Sequence, residues 1–208
     1  MLPRKVPGQL LGSLTAATAW FALLLQAVLT TGSLLNLLSY FTIISNLAVA
    51  LSLTLALGWP STKLGRYAAS PASQTAVALY IVVVALVYNT VLRGLLLLAG
   101  WSWLADTLLH VVVPVLYVGY WLWFTPRRTL RWAQLGAWLV FPAAYLGYSL
   151  LRGPVAQWYP YPFLNVSTLG YAQVLRNSGV VLACFLLVGS GLIALNRALP
   201  LRYFNKQL

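Results

Sequence analysis

The chain has almost no acid. Its 208 residues include one carboxylate side chain, Asp106, against thirteen Lys and Arg, for a formal charge of +12. Histidine and cysteine also occur once each, as His110 and Cys184. These shortages exclude several kinds of chemistry. A zinc site draws three or four ligands from His, Cys, Asp and Glu, so one of each of three types leaves no metal site to expect, and no other cofactor is expected either. A lone cysteine cannot close an intrachain disulfide, so the redox compartment is unreadable. Charge of either sign is scarce as well: charged residues are 7% of the chain and hydrophobic ones 61%, with a mean hydropathy of +0.84. No ordinary water-soluble domain of this length has that balance, so the chain reads as an integral membrane protein. The basic residues come in brief runs between apolar segments, which suits loops facing anionic lipid; a nucleic-acid surface would need a continuous basic face, and none is expected.

Hydropathy and turn signals predict an all-α, polytopic membrane protein of six transmembrane helices in a single domain, 1–208. The expected spans are about 10–31, 36–57, 75–99, 104–124, 132–151 and 172–195, each close to the length a bilayer requires. The first could pass for a signal peptide, but about twenty apolar residues fit a spanning helix better. Gly58-Trp-Pro60 ends the second span, and residues 59–74 read as an exposed connector. Arg152-Gly-Pro154 is expected to close the fifth. In Trp158-Tyr-Pro-Tyr-Pro-Phe-Leu-Asn165, two prolines and four aromatics argue against both helix and disorder, which predicts an ordered cap at the membrane surface. Arg4, Lys5, Lys63, Arg66, Arg127, Arg128, Arg131, Arg197, Arg202 and Lys206 gather on one side in this scheme, which puts both termini in the cytoplasm. Only Arg93, Arg152 and Arg176 fall near the other. No internal repeat relates the two halves, which gives inverted-repeat transport no support.

The polar residues inside the spans share a depth. Asn36, Ser39, Thr42 and Asn46 are spaced three, three and four apart, which places them on one face of a helix. Thr42 and His110 both fall roughly 6–10 Å below the outer end of their helices at about 1.5 Å per residue. Asn89, Arg93, Arg176 and Asn177 belong to the same outer third. Asp106, His110, Tyr117, Tyr120 and Trp121 occupy about a third of one helix's circumference. Ionisable groups in a membrane normally face protein or a wet cavity, which predicts an outward-opening pocket between the second, third, fourth and sixth spans. A threonine hydroxyl in such a place is most often helix glue; as a nucleophile it needs a base, and His110 is the one residue able to act near neutrality. Asp106 can orient that imidazole or cap its helix. Arg93, Asn46 and Asn89 are candidate oxyanion or substrate donors, with snorkelling and helix cross-linking as their structural alternatives. Tyr117, Tyr120 and Asn165 complete the candidate lining.

Three motifs, Tyr40-Phe-Thr-Ile-Ile-Ser-Asn46, the lone His110 followed by Pro114, and Tyr161-Pro-Phe-Leu164, resemble the androgen-induced and androgen-dependent-TFPI-regulating membrane proteins and their bacterial six-helix relatives. In order and topology the resemblance covers nearly the whole chain. It implies a multi-pass hydrolase of the bacterial cell membrane that cleaves fatty acid esters of hydroxy fatty acids, with Thr42 as nucleophile and His110 as its partner. Asn165 stands where relatives often carry an acid. The expected partners are a lipid substrate drawn from the bilayer and the membrane lipids themselves. Two rival readings of the same pocket are a lipid-binding protein without chemistry and a small-molecule transporter using Asp106 and His110.

Overall fold

The computed structural model describes residues 5–95 and 97–200, and every regular element among them is helical. Arg4, Arg202, Lys206 and the Lys5 side chain, all used in the charge-based orientation, lie outside the described residues. Five stretches are long and apolar enough to cross a membrane: Val6–Leu29, Phe41–Gly58, Pro71–Leu92, Gly100–Phe124 and Val166–Ala198. Their outward faces remain apolar, with Phe21, Leu24 and Val28 on the first and Val180 and Leu187 on the last all exposed. That is the surface lipid accepts and water does not.

The first helix, α1 (Lys5–Leu29), buries Gly8, Gly12, Thr15, Ala16, Ala19 and Ala22. These small residues let neighbouring backbones approach, as membrane helices require in the absence of a hydrophobic force between them. A Cβ on Gly12 would stand 2.8 Å from Leu57 and 3.0 Å from Tyr120. Next comes a break that the sequence reading missed. The expected helix 36–57 is two helices, α2 (Leu34–Leu38) and α3 (Phe41–Gly58), parted at Ser39 and Tyr40. Ser33 caps α2 by accepting from the Asn36 N–H, whereas no side chain of its own caps α3.

The expected connector 59–74 is also more ordered than its composition suggests. Thr62 caps α4 (Lys63–Ala68), and Gly65 sits so close to α3 that a Cβ would lie 1.9 Å from the Trp59 carbonyl oxygen. Ser70 followed by Pro71 starts α5 (Pro71–Val87), a capping serine before a proline at the first helical position. That helix ends in a π-helical turn, Tyr88–Leu92, and residues 93–95 and 97–99 are not regular, so the third span is earlier than 75–99. The fourth span, α6 (Gly100–Thr107) and α7 (Val113–Phe124), contains a second π turn at Leu108–Val112. The fifth helix, α8 (Gln134–Ala156), continues through Arg152-Gly-Pro154 rather than closing there. The last, α9 (Val166–Ala198), begins on an Asn165 cap and kinks at Gly170, whose φ of 71° suits glycine.

α1 lies against α3 and against α6 and α7, while α5 packs on α3, α7 and α9. α8 leans chiefly on α9 and meets α3 and α5 through long aromatic side chains. Pro142 explains one of those contacts. It has no N–H for the Trp138 carbonyl one turn back, and the Tyr80 hydroxyl of α5 donates there at 2.9 Å. At the basic end, buried Asn196 of α9 holds the 126–129 loop, donating to the Pro126 carbonyl at 2.8 Å and accepting from the Thr129 N–H at 3.2 Å. Arg127 in that loop is not solvated: it is 5% exposed, donates to the Leu122 carbonyl and lies over the Trp121 ring.

Candidate functional site

The polar stripe is real but is not one helix face. Its members sit on two helices, and each is engaged by a different element. Asn36 Oδ1 accepts from Arg152 Nη2 at 2.6 Å, and the Arg152 guanidinium lies over the Trp158 ring. Ser39 donates to the Leu35 carbonyl at 2.6 Å, so the Tyr148 hydroxyl at 2.7 Å donates to Ser39, while Tyr145 donates to the Ser39 carbonyl at 2.8 Å. The α2–α3 break is thereby tied to α8.

Thr42, in the first turn of α3, meets the cap. Its N–H donates to the Tyr161 hydroxyl oxygen at 3.2 Å, and its Oγ1 shares a hydrogen bond with the same hydroxyl at 3.3 Å. Tyr161 therefore supplies the cap that Tyr40, at the N-cap position, does not. Burial pushes the Tyr161 phenol up, more than the hydrogen bonds from the Thr42 turn pull it down. The cap itself is ordered, as its prolines and aromatics predict: Pro162–Leu164 is a 3₁₀ turn, Tyr161 stacks on Phe163, and Tyr40 meets Trp158 and Tyr161 edge-on.

Four residues on, Asn46 is fully buried, and its amide nitrogen donates both to the Thr42 carbonyl at 2.9 Å and to the Leu109 carbonyl at 3.2 Å. Asn89 repeats the arrangement from α5, donating to the Ala85 carbonyl at 2.7 Å and the His110 carbonyl at 3.2 Å. Pro114 accounts for both. In the π turn the Val113 N–H goes to the Leu108 carbonyl. The N–H that would serve Leu109 in π register, or His110 in α register, is the one Pro114 lacks. Two asparagines on neighbouring helices supply the missing donors, and so bring the Thr42 and Tyr88 turns alongside His110.

His110 Nδ1 lies 3.0 Å from Asp106 Oδ1 and 2.9 Å from the Asp106 carbonyl oxygen. Both partners are acceptors, so Nδ1 carries a proton and the neutral ring is basic at Nε2. Asp106 is the seventh residue of its helix, which begins at Gly100 with Ala99 as N-cap, so it orients the imidazole and does not cap. Tyr88 stacks flat on His110 with ring centres 3.6 Å apart, and its hydroxyl reaches Asp106. Arg93 is exposed, with its charge near Asp106.

A cavity of about 400 Å³ opens beside Thr42. It lies between α3, α5, α8, α9 and the cap, and not against the fourth span as the sequence suggests. Val83, Val87, Leu139, Leu146, Leu182 and Phe185 make most of it apolar. Thr42, Tyr88, Tyr145, Tyr161 and Ser178 are its hydroxyl-bearing residues. Tyr145 is committed to the Ser39 carbonyl, Ser178 to the Val174 carbonyl and Tyr88 to Asp106. The Thr42–Tyr161 pair is thus the polar end of an otherwise oily chamber. His110 lines no part of it; Tyr88 is the wall residue stacked on the imidazole. Among the described residues no hydrogen bond joins Thr42 to His110.

The remaining candidates lie apart from the cavity. Tyr117 is fully buried and donates to the Gln74 carbonyl at 3.3 Å, beside Trp121, whose indole donates to Thr75 at 2.8 Å. Tyr120 packs with Phe124 and against Gly12. The π turn breaks the phase that seemed to align these residues with His110. Asn165 caps α9 through the Thr168 N–H, and Asn177 of that helix donates to the Phe163 carbonyl at 2.9 Å, holding the cap. Tyr88 and Tyr161 are the two residues whose place in the site the sequence reading did not assign. Their signals were adjacency to Asn89 and membership of the Tyr-Pro-Phe-Leu motif. No protein-family model, curated protein or solved structure matches the chain.

Proposed function

We propose that the protein is a six-span membrane hydrolase of lipid esters, with both termini cytoplasmic and the cavity in the outer half of the bilayer. α8, shorter of apolar residues than its neighbours, serves as the remaining span. The observation that carries the reading is the Asn46 amide, which holds the Thr42 carbonyl and the residue next to His110 on one nitrogen. The turn that carries a hydroxyl at the polar end of an acyl-sized chamber is thereby packed on the turn that carries an imidazole with a proton on Nδ1.

In the reaction, an ester's acyl chain fills the apolar chamber and its carbonyl carbon faces Thr42. The hydroxyl turns from Tyr161 toward the imidazole, a change of χ1 between rotamers that threonine populates in helices. Thr42 Oγ1 then bonds to the carbonyl carbon as its proton passes to His110 Nε2. The leaving alkoxide takes that proton, and water, deprotonated by the same nitrogen, releases the acid and restores Thr42. Apo sites often lack the hydrogen bonds that tighten in a Michaelis complex. Fatty acid esters of hydroxy fatty acids are the substrate class we favour, drawn sideways from the bilayer.

The test is fluorophosphonate labelling of the purified protein with peptide mapping. The tag is expected on Thr42, and a tag that persists in Thr42→Ala overturns the nucleophile. One observation favours a second reading, a lipid-binding protein without chemistry: His110 lies behind Tyr88 and off the cavity wall. That reading expects no ester turnover and equal fatty-acid binding by Thr42→Ser and Thr42→Val.

A further inference from the structure

The structure assigns the oxyanion of this reaction to Tyr161, as a hydrogen-bond donor presented by the cap; the assignment rests on the hydrolase reading above. The three donors that composition offers are otherwise occupied. An asparagine amide has two hydrogens, and both are spent in Asn46, on the Thr42 and Leu109 carbonyls, and in Asn89, on the Ala85 and His110 carbonyls. Moving either would leave a proline-orphaned carbonyl bare in a low-dielectric interior. Arg93 is exposed beside Asp106 and does not line the cavity.

Tyr161 meets each requirement. Tyr161 is in the cavity wall beside Thr42, and its hydroxyl is 3.3 Å from the Thr42 oxygen, so a carbonyl carbon in contact with Oγ1 presents its own oxygen within reach of the phenol. The Thr42 N–H fixes the phenol oxygen from behind at 3.2 Å. Accepting there leaves the O–H hydrogen to be donated forward. Burial keeps that hydrogen in place, since it raises the phenol above its ordinary value. When Oγ1 bonds to the carbonyl carbon, the π electrons move to the carbonyl oxygen. The Tyr161 O–H, released from Thr42, donates to that oxygen without transferring its proton, and the hydrogen bond relaxes when the carbonyl re-forms and the alkoxide leaves. The donor stands at the N-terminus of α3, where the helix dipole also favours negative charge.

The experiment compares wild type, Thr42→Ala and Tyr161→Phe in detergent micelles with p-nitrophenyl decanoate. Tyr161→Phe keeps the ring contacts with Tyr40 and Phe163. It is expected to lower kcat by about 10²–10³ with KM moved by less than about threefold, the pattern of a lost transition-state donor. A second series replaces Tyr161 with fluorotyrosines of rising acidity, assayed where all remain protonated. This series preserves the fold, and kcat should rise along it at constant KM. Wild-type turnover with kcat unmoved in Tyr161→Phe, or flat across the fluorotyrosines, overturns the Tyr161 assignment and leaves the hydrolase standing. Absence of turnover in wild type overturns the hydrolase reading and the assignment together.

Discussion

If Pro114 is the reason that Asn46 and Asn89 hold the fourth span, the cost of losing Asn46 must depend on Pro114. In Asn46→Leu the Leu109 carbonyl loses its donor, and no backbone N–H replaces it. The Thr42 carbonyl keeps the helical N–H of residue 46 and loses little. A buried, unsatisfied carbonyl costs about 1–3 kcal/mol. Against this, Asn46 Oδ1 is itself buried without a partner, so leucine also removes one orphan acceptor. The net cost expected is about 1–2 kcal/mol. With Pro114→Ala the helix regains an N–H able to serve Leu109 or His110, and Asn46→Leu then costs close to nothing. The coupling, about 1–2 kcal/mol, exceeds the scatter of roughly 0.3–0.5 kcal/mol with which independent substitutions add. Reversible unfolding of the four proteins by SDS in mixed micelles measures it. Additive costs within that scatter would refute the claim that the proline creates the site the asparagine fills. Turnover supplies a second reading of the same cycle: a misplacement of about 1 Å costs on the order of 10²-fold in rate, so Asn46→Leu should lose activity beyond its loss of stability.

Other perturbations read other parts of the site. Asp106→Asn removes the acceptor that fixes the His110 tautomer, and kcat should fall by about 10²–10⁴ with KM little changed; a loss under about threefold would make Asp106 a bystander. Gly179 lines the cavity with nothing within 4 Å of where its Cβ would be. Gly179→Phe should therefore occupy the chamber and raise KM about tenfold or more for a decanoate ester while sparing a butyrate ester, and equal effects on both would place the acyl chain elsewhere. Gly153 receives the Tyr159 ring, to which a Cβ would approach within 2.0 Å. Gly153→Ala should displace the cap at a cost of about 1–3 kcal/mol, seen as faster proteolysis after Gln157; an unchanged digestion pattern would show that Tyr159 moves alone.

What the sequence made legible was whatever depends on composition over a whole turn or more. The apolar segments and the order in the proline- and aromatic-rich cap both follow from such sums. Phase was not legible. The stripe Asn36, Ser39, Thr42, Asn46 presumes a continuous 3.6-residue period, and the chain resets that period at Ser39 and Tyr40. The grouping of Asp106 and His110 with Tyr117 and Tyr120 presumes it again, across a π turn that adds a residue to the winding. Neither break is written in local propensity. The first is sustained by Tyr145 and Tyr148, more than a hundred residues away, and the second by asparagines on two other helices. Pro114 was a visible signal for the second, although a proline inside a membrane helix announces only an orphaned carbonyl and not who will satisfy it.

That ambiguity suggests how this bundle assembles its site. Apolar helices in lipid gain little by exchanging tail contacts for side-chain contacts, so specificity must come from close packing and from hydrogen bonds between helices. Helical carbonyls are normally unavailable for this, because the turn that follows consumes them. A proline frees one or two at a chosen depth. Three cross-helix donors here end on carbonyls four or five residues before a proline: Tyr80 on Trp138, Asn46 on Leu109 and Asn89 on His110. Pro142 and Tyr88, a neighbour of Asn89, both line the cavity, and Asn46 lies one turn from Thr42. The bonds that fix the bundle are thus made within one residue or one turn of residues that shape the chamber. Since a freed carbonyl in hydrocarbon must find a donor or cost several kcal/mol, each proline commits a neighbouring helix to one register, and the Thr42 turn is held against the His110 turn without a charged residue crossing between them.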